Sequence, residues 1–182
     1  IGKEQSYYPF EYPLDELATM HRLGLGQGVE LHSCGMVNAA GEATLFVGHS
    51  GAGKSTMGRM WVAERQARIL SDDRNIITRG KKGFRLHGTP WHGEAGLASN
   101  SSARLASICL IEHGANNELI PPAPAVAAAE LFARSFVPWY RREALDFTLG
   151  FLQSVVDTVP VHVLRFVPDA HVLEFLETSF AN

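Results

Sequence analysis

Three glycines fall within six residues in the run Gly48-His49-Ser50-Gly51-Ala52-Gly53-Lys54-Ser55, which a lysine and a hydroxyl close. Such a run is a poor interior for a helix or a strand, because glycine there forfeits backbone entropy and packs nothing. Its neighbours say which turn it is. Ala43 to Gly48 is apolar and strand-like, while Ser55 to Arg65 lacks proline and carries Met57, Met60, Trp61 and Glu64 at helical spacing. In the order strand, glycine loop, helix, backbone amides unobstructed by Cβ atoms converge with the positive end of the helix dipole, and that combination suits an anion with several oxygens. Lys54 supplies a point charge suited to the β and γ phosphates of a nucleoside triphosphate, and the Ser55 hydroxyl is suited to Mg²⁺. The alternative for the run is a plain glycine turn ahead of a helix.

Size and charge limit the partners. A chain of 182 residues suffices for one α/β domain with a sizeable core, divided here into a lead-in (1–28), a nucleotide-site core (29–112) and C-terminal helices with a strand (113–182). A net charge of -3 and a pI near 6.2 argue against nucleic acid as a partner. No apolar tract is long enough for a membrane helix. Cys34 and Cys109 form no metal or redox spacing and read as buried small hydrophobes in a reducing compartment. Ile1 to Pro13 has neither region of a secretory signal, so the expected location is the cytoplasm.

Along the chain, Val29 to Ser33 and Met36 to Ala40 read as short strands, and Gly41-Glu42 as a turn before the strand that enters the loop. Ala67 to Leu70 is a strand ending in Ser71-Asp72-Asp73, Asn75 to Thr78 and Phe84 to His87 form a hairpin, and Gly88 to Ser102 is a long loop of the functional kind. Leu105 to Ile111 is a strand, Ala123 to Phe136 and Arg141 to Val156 are helices, Pro160 to Val167 is a strand, and Asp169 to Phe180 is a closing helix. If Ala67 to Leu70 neighbours the strand leading into the loop, Asp72 and Asp73 share an edge with the loop. One could then bind metal while the other takes a proton from a hydroxyl; the competing reading is a turn capped by its own aspartate.

Three blocks together resemble the catalytic domain of HPr serine kinase/phosphorylase and its compact relatives: Leu31-His32 before a hairpin, Gly48 to Thr56 as the phosphate loop, and Leu70-Ser71-Asp72-Asp73-Arg74. The resemblance implies an α/β phosphoenolpyruvate-carboxykinase-like phosphate-loop fold, a mixed sheet with flanking helices. It implies nucleotide contacts from Gly48, His49, Ser50, Gly51, Ala52, Gly53, Lys54, Ser55 and Thr56. It also implies metal ligation by Ser55, Asp72 and Asp73, His32 near the phosphates, and an aspartate of the pair as base, with a homo-oligomer as the assembly. Taken alone, His32 is a histidine in an apolar strand, more often a satisfied structural group. The chain departs from the HPr kinases where Thr56 replaces an acidic residue and around Gly88-Thr89-Pro90-Trp91-His92-Gly93-Glu94, so HPr is not the expected acceptor.

Trp91, His92 and Glu94 could present an aromatic platform, a proton carrier and an acid to a substrate, or simply pack the loop; Arg104 could neutralise charge on a transferred phosphoryl group, in competition with Arg74, Arg79, Lys81 and Lys82. The expected activity is Mg²⁺-dependent transfer from ATP to a hydroxyl of a protein or peptide serine. The alternatives are a small hydroxyl compound as acceptor, or a catalytically silent nucleotide-binding regulatory or assembly subunit.

Overall fold

In the computed structural model, which describes residues 12–180, the described residues form five helices and nine strands. α1 (Leu14–Leu23) precedes β1 (Gly28–Val37), β2 (Glu42–Val47), α2 (Lys54–Arg65), β3 (Arg68–Ser71), β4 (Arg74–Gly80), β5 (Gly83–Gly88) and β6 (Ser102–His113). β7 (Glu118–Ile120), α3 (Pro124–Phe132), β8 (Ser135–Phe136), α4 (Arg142–Thr158), β9 (Val161–Phe166) and α5 (His171–Phe180) follow. The strands belong to one mixed sheet, in which β6 runs parallel to β2 and β9 and the other pairings are antiparallel. The fold is therefore α/β.

β1 organises the sheet. Its second half pairs with β2, Ser33 opposite Val47 through Val37 opposite Ala43, while its other edge takes β4 and then β3 in nearly continuous register. The Ser33 amide donates to the Asp73 carbonyl between those two strands, so β3 and β4 are one run interrupted at Asp72-Asp73. Because β2 also pairs with β6, the contacts β1–β4–β5–β6–β2 close into a ring.

Alternation along the strands builds a core on each face. Ala43, Leu45 and Val47 of β2 join Phe151, Leu152 and Val155 of α4, whereas Phe46 joins Met57 and Trp61 of α2 and Leu173 of α5. Along β6 the phase changes: Ala43 faces Leu105 but Thr44 faces Ser107, so Ala106 is an extra residue. That bulge turns Ile108 and Leu110 to the face of Leu105, and Cys109 and Ile111 to the other. Cys34 and Cys109 are free and fully buried, and burial pushes both thiols up to about 12.

Several boundaries differ from expectation. The two short strands before Gly41 are one strand, since Ser33 to Gly35 stays buried and paired on both sides, and the turn lies at Asn38 to Gly41. The helix expected to run to Phe136 stops at Phe132, and Ser135-Phe136 adds to β1 as β8. α1 and β7 were not expected at all: α1 is polar on much of its surface, and β7 is three residues long. Among the described residues no helix is long and apolar enough to cross a membrane.

Asn75 locks the break between β3 and β4 to β1. It is fully buried, and its Nδ2 donates to the carbonyl oxygens of Ser33 at 2.9 Å and Ser71 at 3.1 Å. Gly35 leaves the room, since a Cβ there would lie 2.6 Å from Asn75 Oδ1. Asn75→Ala is expected to lower unfolding stability by about 1–3 kcal/mol, measured as a reduced urea midpoint at unchanged slope.

Candidate functional site

The glycine loop leaves β2 at Val47 and re-enters regular structure at Lys54. Gly53 immediately before the helix has φ 102°, a left-handed value, and a Cβ on it would lie 2.8 Å from Phe166 Cζ. Both conditions require glycine. The Ala52 amide donates to the His49 carbonyl, and His113 Nε2 lies 3.1 Å from the Gly51 carbonyl oxygen, bracing the loop from the end of β6. Lys54 is buried at 6% exposure, and its Nζ donates to the carbonyl oxygens of Gly48 at 2.9 Å and His49 at 3.0 Å. An ammonium has three N–H bonds, so one remains for a ligand. Burial holds the Lys54 pKa below its usual value, partly countered by Asp73.

The strand expected to carry Asp72 and Asp73 is present, but it neighbours β1 rather than the strand entering the loop. Since β1 is antiparallel to both, the C-terminal ends of β2 and β3 still reach the same edge. Val47 and Asp73 flank Ser33 from opposite sides, two strand spacings or roughly 10 Å apart. That gap is a cleft of about 360 Å³, lined by His32, the loop from Ser50 to Thr56 except the core residue Ala52, Arg59, Asp72, Asp73, Gly93 and Glu94.

The two aspartates differ in what their oxygens do. Asp72 is 2% exposed; its Oδ1 accepts the amides of Gly93 and Leu97 and its Oδ2 that of Ala95. Its carboxylate thereby organises the loop after β5. Asp73 is half-buried; its Oδ1 lies 3.0 Å from His32 Nδ1 and its Oδ2 accepts Arg74 Nε at 3.3 Å. The His32 hydrogen bond, ahead of Arg74, holds its carboxyl below the usual range against the opposing effect of burial. Asp73 is thus an ionised carboxylate oriented by an imidazole and facing the cleft.

Other expected residues lie elsewhere. Arg104 is exposed on β6, bonded to Glu42 at 2.8 Å at the far end of β2 from the loop, five residues or roughly 16 Å away. It takes no part in the cleft. The Trp91 indole donates to Asp15 and its ring covers Arg74, while His92 is exposed with its Nδ1 near the Gly93 carbonyl; neither lines the cleft. Glu94 does, from an exposed position. Arg59 lines it too and was not anticipated, although its place one helical turn beyond Ser55 was readable. Glu30, also unanticipated, is fully buried beside Arg74, and burial raises its pKa to about 7.

Among the described residues, no group of three or more His, Cys, Asp or Glu could hold a metal ion unaided. Ser55 and Asp73 nevertheless bring two oxygens to one cleft, a donor set suited to Mg²⁺, which completes its shell with phosphate and water oxygens. The Ser55 hydroxyl has no partner among the described residues. No family model matches the chain, and no curated protein matches it in sequence.

Asp72→Asn replaces an acceptor oxygen by an amide that faces an N–H. Faster hydrogen exchange at the Gly93, Ala95 and Leu97 amides, by about tenfold or more, is the expected result. Glu30, protonated in the fold at pH values where the unfolded chain has ionised it, makes stability fall as pH rises from 4.5 to about 7. The stability advantage of Glu30→Gln over the native chain should therefore grow across that window by on the order of 3 kcal/mol, read from denaturant titrations at several pH values.

Proposed function

We propose that the chain is an ATP- and Mg²⁺-dependent kinase that transfers the γ-phosphoryl group to a hydroxyl, with a protein or peptide serine as acceptor. Its fold, in this reading, is of the phosphoenolpyruvate-carboxykinase-like phosphate-loop kind found in HPr-kinase-like proteins. The observation that carries the reading is the Asp73–His32 pair facing the Lys54 loop across one cleft, 3.0 Å from carboxylate to imidazole.

Loop amides and the start of α2 bind the phosphates, and the remaining N–H of Lys54 meets their charge. Ser55 and Asp73 would hold Mg²⁺, which would supply neutralisation of phosphate charge. Asp73, fixed by His32, accepts the proton of the acceptor hydroxyl as its oxygen bonds to the γ phosphorus and the bond to the bridging oxygen breaks. Asp72 supports the cleft wall through Gly93 without touching the reacting atoms. Most of the rate comes from positioning and charge, since phosphoryl transfer leaves the protein little covalent work.

The test is incubation of the protein with Mg²⁺ and γ-labelled ATP against serine-containing peptides and small hydroxyl compounds. Lys54→Ala is expected to abolish ATP binding. Asp73→Asn should keep the Kd within about threefold while transfer falls by about 10²–10⁴. Label on small compounds alone moves the acceptor class, and tight binding without any transfer favours the silent regulatory subunit.

A further inference from the structure

Arg74, which the proposed reaction does not use, is a point of convergence for charged and aromatic side chains. Its Nε donates to Asp73 Oδ2, while Nη1 lies 3.2 Å from Glu16 Oε2 and 3.8 Å from Glu30 Oε1. Two rings hold the guanidinium: its Cζ is 4.5 Å from the Phe136 centroid and 5.3 Å from that of Trp91. The register explains the convergence. His32 pairs with Arg74 across the β1–β4 ladder, and Glu30 lies two residues before His32, on the same face of β1. Glu30 has no exposed surface, and neither of its carboxylate oxygens has a hydrogen-bond partner among the described residues; Arg74 Nη1 also lacks one. An unsatisfied carboxyl in the core is costly, and the nearest charge to it is this guanidinium.

A carboxylate gripped at one oxygen can still swing about its Cβ–Cγ bond. Asp73 is gripped at both, by His32 at Oδ1 and by Arg74 at Oδ2. The second grip works only if the planar guanidinium is itself held in plane and in place, which stacking and flanking carboxylates accomplish for arginine and could not for lysine. Glu16 approaches Nη1 from α1, and Glu30 approaches it from β1.

We propose that Arg74 is the positioning residue of Asp73, and that Glu30, which touches neither substrate nor the Asp73–His32 pair, keeps the guanidinium where it can do this. Without Glu30, Nη1 is steered by Glu16 alone, the guanidinium shifts towards α1, and Nε leaves Oδ2. The effect on turnover rests on the kinase reading; the effect on the geometry of the pair does not.

The experiment uses the full chain with ¹⁵N-labelled histidine and reads the His32 ring by NMR at one fixed pH, with phosphoryl transfer measured in parallel. An ionised Asp73 can only accept, so in the native protein Nδ1 is expected to carry the hydrogen-bonded proton. Glu30→Ala is expected to lose that fixed Nδ1–H signature and to lower kcat by about tenfold with the Kd for MgATP unchanged. Glu30→Gln, whose amide oxygen can accept from Nη1, should restore both. Arg74→Lys, which keeps the charge without the fork, should behave like Glu30→Ala. An unchanged His32 signature in Glu30→Ala, or no recovery in Glu30→Gln, overturns the proposal. If Glu30→Ala does not fold, an unchanged signature in Arg74→Lys overturns it instead. A shifted signature in a protein that transfers no phosphoryl group sinks the kinase reading and leaves the positioning role standing.

Discussion

The site depends on β1 being antiparallel to the strands on both its edges. Strands two places apart then run the same way, so the loop leaving β2 and the aspartates ending β3 arrive at one edge with a single strand between them. That strand sets the width of the cleft, because hydrogen-bonded spacing is nearly invariant. It also supplies His32 at the midpoint. Hydrogen bonds of Asn75 to Ser33 and Ser71 keep the interrupted partner of β1 in register across the break where Asp73 emerges.

Charge is arranged in two tiers. Facing the cleft are Lys54, Asp73 and His32, each with a neighbour that fixes its direction. Behind them Arg74 sits among Asp73, Glu16 and Glu30, with the rings of Trp91 and Phe136 against its guanidinium. A buried cluster with unsatisfied oxygens tends to destabilise, and the raised pKa of Glu30 is the visible sign of that cost. Asp72 is the opposite case: its charge is spread over three backbone amides, and the segment it organises forms the far wall of the cleft.

Much of this was legible from particular residues. The glycine spacing and the flanking periodicity located the loop and α2, because their signals are local. Asp72 and Asp73 were found together but could not be told apart, since their difference lies in amides more than twenty residues away in the chain. Arg104 was misplaced because nothing local records which end of β6 meets the loop; the pairing of Glu42 with Arg104 decides it. The division of β1 into two strands followed from reading Ser33 to Gly35 as a break, whereas a strand paired on both edges tolerates small residues where neighbours approach closely. Glu30 offered a signal that went unread: a carboxylate between Val29 and Leu31 in an apolar strand is a residue that must find a partner inside.

Lys54 gives two hydrogen bonds to the carbonyls of Gly48 and His49. Its charge and the curvature of the loop are consequently one object: the ammonium that would greet a ligand also staples the turn that presents the amides. A flat guanidinium could not stand over two converging carbonyls in the same compact way, so arginine is no conservative replacement here. Removing the side chain subtracts the scaffold together with the charge, and what remains is a glycine-rich segment free to sample other shapes.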